Sequence, residues 1–196
     1  MNQHTPTLRK WSHLEVAQLL ISHTALTELS LEDAQKVVTR MHTVSIKEGT
    51  VLVQEGTSSN NYMLLILSGE SVVENESLKK KDSLILGVVG TGHIIGEMGL
   101  LDGEPRSATC TAFSDMDVAV LDRQAFTNLI DTEPATGCRL LAALLQRTSN
   151  RLRATNKKLR VLTQINRALE QEVTSLGIQP RPTLKAAANP DNPLIF

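Results

Sequence analysis

Glu97 and Arg106 are the residues whose types and spacing best support chemistry in this chain. They fall in one run, Gly96-Glu97-Met98-Gly99-Leu100-Leu101-Asp102-Gly103-Glu104-Pro105-Arg106-Ser107-Ala108-Thr109. An ionised carboxylate only accepts hydrogen bonds, so Glu97 suits a hydroxyl and repels an anion. The planar guanidinium of Arg106 can hold two phosphate oxygens at once. Glycines at 92, 96, 99 and 103 remove the Cβ that would keep a ligand from the backbone. Leu100 and Leu101 can anchor a short helical turn starting near Met98, whose first N–H groups suit an anion. Pro105 stiffens the approach to Arg106. The Ser107 hydroxyl and the N–H groups of Ala108 and Thr109 complete a cradle. A phosphate beside a ribose 2′-OH satisfies both charged residues. The plainer alternative makes Glu97 a favourable acid at a helix start and Arg106 an exposed arginine after a turn.

This run resembles the phosphate-binding cassette of cyclic nucleotide-binding domains, Gly-Glu-x-(Gly/Ala)-Leu, a short loop, then (Pro)-Arg-(Ser/Ala/Thr)-Ala-Thr. A motif of this length is specific, unlike a lone glycine pattern. The resemblance implies that Glu97 binds the ribose 2′-OH and Arg106 the cyclic phosphate. It implies a contact set of Gly96, Glu97, Met98, Gly99, Arg106, Ser107 and Ala108. It also places Val73, Leu86 and Gly87 on the pocket wall, although all three are ordinary strand-core candidates. Ser107-Ala108 resembles the catabolite-activator branch, which implies cAMP ahead of cGMP as regulatory ligand. That branch reads the base from its dimer helix. Here Thr155-Asn156 matches after one extra helical turn, whereas ungapped counting puts Arg151 and Leu152 at those positions.

The elements that must carry the cassette follow from periodicity. From Trp11 to Met41 apolar residues recur at helical spacing, and Ser30 before Glu32 and Asp33 reads as an N-cap. Two or three short helices are predicted there. Residues 42–125 alternate short β-rich runs with turn signals, predicting strands at 42–46, 51–54, 62–67, 71–74, 84–88, 107–112 and 117–121. Strands at this density predict a barrel or jelly-roll sandwich. The insert Asn75–Asp82, with Lys79-Lys80-Lys81, reads as a solvated hairpin tip.

Beyond Glu133-Pro134 the pattern is helical. Leu141, Leu145, Thr148, Leu152, Thr155, Leu159, Leu162, Asn166, Leu169, Val173 and Leu176 advance in alternating steps of four and three. That 3.5-residue repeat specifies a left-handed coiled coil. A second copy is the simplest partner, and the alternative is a helix folded back on its own domain. Gly177 reads as the C-cap. Gln179–Phe196, with four prolines, reads as disordered or extended. Its apolar end, Pro193–Phe196, reads as a docking peptide or a free end.

Composition excludes several function classes. The chain has 196 residues and a net charge of −1, so whole-molecule charge gives no nucleic-acid signal. The five histidines never stand at i, i+4, and the cysteines Cys110 and Cys138 show no metal spacing, so no metal is expected. Both cysteines read as buried, reduced residues. No secretion signal and no membrane-length apolar run is evident, and a cytoplasmic protein with no membrane partner is expected. No nucleophile–base pair stands out, so an enzyme is not expected.

The sequence therefore predicts an α+β fold, an antiparallel β-roll (jelly-roll) with N-terminal helices and a long C-terminal coiled-coil helix. The expected segments are a flexible 1–12, a nucleotide-binding 13–132, a dimerisation helix 133–177 and a disordered tail 178–196. The expected function is a homodimeric cyclic nucleotide sensor that signals through an effector protein whose identity the sequence does not reveal. No helix-turn-helix output domain is expected in the twenty residues after Leu176. One alternative is a constitutive coiled-coil scaffold with a vestigial pocket. Another is a regulator binding nucleic acid through the helix, which carries eight Lys/Arg and no acid between Pro134 and Leu169.

Overall fold

The computed structural model describes residues 10–58, 61–76 and 83–176. The chain divides into two compact units, Met1–Thr148 and Ser149–Phe196. Unit one opens with helices α1 (His13–Leu20) and α2 (Leu31–Val38). Ser12 and Ser30 cap them, Ser12 in a full capping box with Glu15, which satisfies N–H groups the first turn leaves unpaired.

Eight strands follow: β1 (His42–Ile46), β2 (Val51–Val53), β3 (Tyr62–Ser68), β4 (Glu70–Glu76), β5 (Ser83–Gly90), β6 (Ile94–Ile95), β7 (Thr109–Ala112) and β8 (Met116–Asp122). They form two four-stranded antiparallel sheets, ordered β1-β8-β3-β6 and β2-β7-β4-β5. This corrects the jelly-roll expectation. Each sheet is open, with β1 and β6, or β2 and β5, as its outer strands, and no barrel closes. Strand density alone does not determine closure, because an edge can end a sheet wherever its last strand finds no further ladder partner.

The first sheet is buried on both faces. Met63, Leu65, Leu67, Ala119 and Leu121 face a core shared with the helices. Leu64, Ile66 and Val118 face a second core with Leu52, Val53, Cys110 and Ala112 from the other sheet. Two buried faces explain why Tyr62–Leu67 is an unbroken apolar run rather than an alternating one.

Between β6 and β7 lies α3 (Glu97–Asp102), and after β8 comes α4 (Arg123–Thr132). The last helix, α5 (Pro134–Ser175), buries Leu140, Ala143 and Leu144 in the helix-side core. Arg147 donates to the backbone oxygens of Thr24, Ala25 and, at 3.4 Å, Ile94. The described part of unit two is the remainder of α5. Its heptad leucines are exposed, Leu152, Leu159 and Leu162 at 60–62%. The expected cap Gly177, the tail, Lys79–Lys81 and the first nine residues lie outside the described residues.

Candidate functional site

The cassette is built around Arg106, which is met by Gly56-Thr57, Tyr62 and Gly96. Its N–H donates to the Thr57 oxygen at 2.9 Å, and its own carbonyl accepts from Gly56 N at 2.9 Å. Its Nη1 donates to the Gly96 oxygen at 2.7 Å and its Nη2 to the Tyr62 oxygen at 2.9 Å. The guanidinium carbon lies 4.9 Å from the centre of the Tyr62 ring, within cation–π range. Arg106 is buried, at 8% exposure, which argues against the plainer alternative of an exposed arginine after a turn.

The glycines explain how it fits. Gly96 caps α3 in the left-handed region, φ 81°, where L side chains are strained. A Cβ there would lie 2.7 Å from Arg106 Nη1 and 2.9 Å from the Tyr62 oxygen. A Cβ at Gly99 would lie 2.8 Å from the same nitrogen. These two glycines make room for the arginine. That space is filled by the protein's own side chain, where the sequence pattern predicts close approach of a ligand.

Glu97, the first residue of α3, is 3% exposed. Met98 beside it is exposed. Ser107 is exposed and Ala108 half-buried. The Ser107 carbonyl accepts from Asn75 Nδ2 at 3.1 Å, which ties β4 to the cassette. Val73 pairs with Gly87 across β4 and β5, and the register shifts at the next position, where Glu74 pairs with Ile85. Leu86, between the paired residues, is 53% exposed. The strands thus bring Val73, Leu86 and Gly87 together, while Asn75 links their sheet to Ser107. Thr155 and Asn156 lie on α5 in unit two and are exposed.

Sequence reasoning missed Tyr62 and Asn75; it gives a turn at Glu55-Gly56 but not the backbone bonds that join Gly56 and Thr57 to Arg106. Tyr62 is the chain's one tyrosine, and that rarity was the available signal. Burial, the largest influence, pushes its phenol above the ordinary value, against the opposing pull of Arg106. The hydroxyl thus stays protonated at neutral pH and donates to the Leu52 oxygen. One cysteine expectation also needs correcting: Cys110 is buried, but Cys138 is exposed, because it lies on the side of α5 away from Leu140 and Leu144. Among the described residues no helix is long and apolar enough to cross a membrane.

This geometry defines an α+β binding module with a buried acid and a buried arginine in one short segment. Comparison with known proteins gives the family. The profile of the cyclic nucleotide-binding domain matches residues 43–133. The chain is 32% identical to a solved cyclic nucleotide-binding domain from Methylobacillus flagellatus KT, with TM-score 0.66, covering 78% of this chain and 83% of that one. The catabolite activator protein of Thermus thermophilus is 27% identical with TM-score 0.59, covering 74% of this chain and 63% of that one. The cAMP-dependent protein kinase regulatory subunit of Yarrowia lipolytica is 30% identical over 105 residues, 54% of this chain and 27% of that protein. The chain thus spans about a quarter of that relative's length. The chain belongs to the cyclic nucleotide-binding domain family, a regulatory and non-catalytic module.

Proposed function

We propose that this chain is a cyclic nucleotide sensor, with cAMP ahead of cGMP as its ligand. Glu97 accepts from the ribose 2′-OH and Arg106 holds the cyclic phosphate. The exposed Ser107 and the half-buried Ala108 stand beside the phosphate, while Gly96, Met98 and Gly99 form the turn beneath it. Val73, Leu86 and Gly87 flank the base and sugar. The observation that carries this reading is the pairing of a buried Glu97 with a buried Arg106 in one cassette. Charged side chains are seldom buried this deeply, and these two stand at the two charged positions of the family's phosphate-binding pattern.

The exposed seam of α5 supports a homodimer. Thr155 and Asn156 lie on that helix and are the candidates for reading the base. Ligand binding biases the paired helices toward one arrangement, which an effector protein in the cytoplasm reads. Within this reading residues 13–132 bind the nucleotide and 133–177 dimerise.

Calorimetry with cAMP and cGMP tests the proposal. Binding tighter than about 100 µM, near −5.5 kcal/mol, is the expected result. The absence of binding by either nucleotide at that level overturns it and leaves the constitutive scaffold.

A further inference from the structure

The arginine of the cassette does not stand alone: an aromatic ring, two carbonyls and two glycines fix where it points. Hydrogen bonds through both backbone and side chain hold Arg106, to Gly56, Thr57, Gly96 and Tyr62 among others. The ring of Tyr62 covers one face of the guanidinium. That ring is itself held, because its hydroxyl donates to the Leu52 carbonyl on β2 and its body packs against the core between the sheets. A long arginine side chain loses much rotamer freedom when it is ordered. Here that ordering is built into the fold, so binding an anion need not supply it.

We propose that Tyr62 is the positioning residue for the anion-binding arginine. Its ring fixes the plane of the Arg106 fork, and packing against the core between the sheets seats the ring, with the Leu52 hydrogen bond as a secondary support. This rests on the reading of Arg106 as the phosphate-binding group. Tyr62 acts through Arg106 and touches no part of the ligand, so its loss weakens cAMP and cGMP by the same factor.

The test is calorimetry on the full-length chain with cAMP and cGMP, in wild type, Tyr62→Leu, Tyr62→Phe, Arg106→Lys and the Tyr62→Leu/Arg106→Lys double variant. Melting curves accompany each protein. Tyr62→Leu should weaken both nucleotides about tenfold. Tyr62→Phe keeps the ring and should stay within about threefold of wild type. In the Arg106→Lys background Tyr62→Leu should add little, because the two residues act as one unit. Should Tyr62→Leu fail to fold, Tyr62→Met takes its place. The proposal is overturned by unchanged affinity in Tyr62→Leu, by an undiminished loss in the Arg106→Lys background, or by a changed cAMP-to-cGMP ratio. If wild type binds neither nucleotide, the sensor reading falls and this proposal falls with it. If wild type binds and Tyr62→Leu binds equally well, only the role of Tyr62 falls.

Discussion

Arg139 of α5 donates from Nε to Asp33 Oδ2 of α2 at 2.8 Å, joining two helices through residues 106 apart in the sequence. Asp33 is buried, and it also accepts from Thr136 Oγ1 at 2.9 Å and from Ser30 Oγ at 2.6 Å. The same serine caps α2 by accepting from Asp33 N. One carboxylate therefore braces the N-cap of α2 through Ser30 and anchors the start of α5.

This cluster predicts an acid-sensitive contribution to stability. Burial pushes the Asp33 carboxyl up. Hydrogen bonds from Ser30, Thr136 and Arg139, with the Arg139 charge, outweigh that and hold it below its ordinary 3.8. A depressed folded-state value means the stabilisation is complete above the unfolded value and fades as pH falls through the folded one. Asp33→Asn should cost about 1–3 kcal/mol near pH 7, as it weakens several bonds to a buried group. The gap between wild type and Asp33→Asn should narrow below pH 4. Urea melts from pH 3 to 7 check this, and a gap that widens on acidification contradicts it.

Gly96 and Gly56 separate two reasons for a glycine. Both have positive φ, 81° and 76°. At Gly56 a Cβ meets nothing within 4 Å, whereas at Gly96 it meets Arg106 and the Tyr62 carbonyl below 3.0 Å. Gly56→Ala should therefore cost about 1–2 kcal/mol of conformational strain. Gly96→Ala should cost about 2–4 kcal/mol, since the added clash involves backbone as well as side chain. Denaturant melts of the two variants measure the difference, and equal losses would show that Arg106 moves aside freely.

Much of this organisation was legible from local pattern. Ser30 is legible as a cap because capping is a property of neighbouring residues. The strand runs were read from β-rich segments and their turns, although the two-residue β6 is too short to leave a pattern. Sheet closure and the posture of Arg106 were not legible. Closure depends on which edges meet in space. The arginine turns inward because Tyr62, 44 residues away, supplies a ring and a carbonyl. No spacing within the cassette encodes that partner.

The α5 seam gives a prediction about assembly. Leu152, Leu159, Leu162 and Leu169 are all more than half exposed. Burying a leucine is worth about 1.5–3 kcal/mol, so a paired helix gains from every one of them. Leu159→Lys with Leu162→Lys should weaken self-association at least about 100-fold. Thermal unfolding of the domain should stay unchanged, because neither residue belongs to a core cluster. Sedimentation velocity across a concentration series measures the association. A wild type that remains monomeric at high micromolar concentration contradicts the dimer.

The roles of Glu97 and Arg106 can be separated by removing one ligand atom at a time. A carboxylate accepting from a ribose hydroxyl is a charge-assisted bond, worth about 1.5–3 kcal/mol. Wild type should then bind 2′-deoxy-cAMP about 10- to 150-fold more weakly than cAMP. Glu97→Ala should bind the two nucleotides alike, since the deleted hydroxyl has lost its acceptor. Arg106→Ala should weaken both and keep the preference between them, because the 2′-OH contact survives. Calorimetry with the two ligands and three proteins completes the cycle. A Glu97→Ala protein that still discriminates would place the hydroxyl elsewhere. Its recognition would then rest on another group of the cassette, and the buried charge of Glu97 would belong to the helix start.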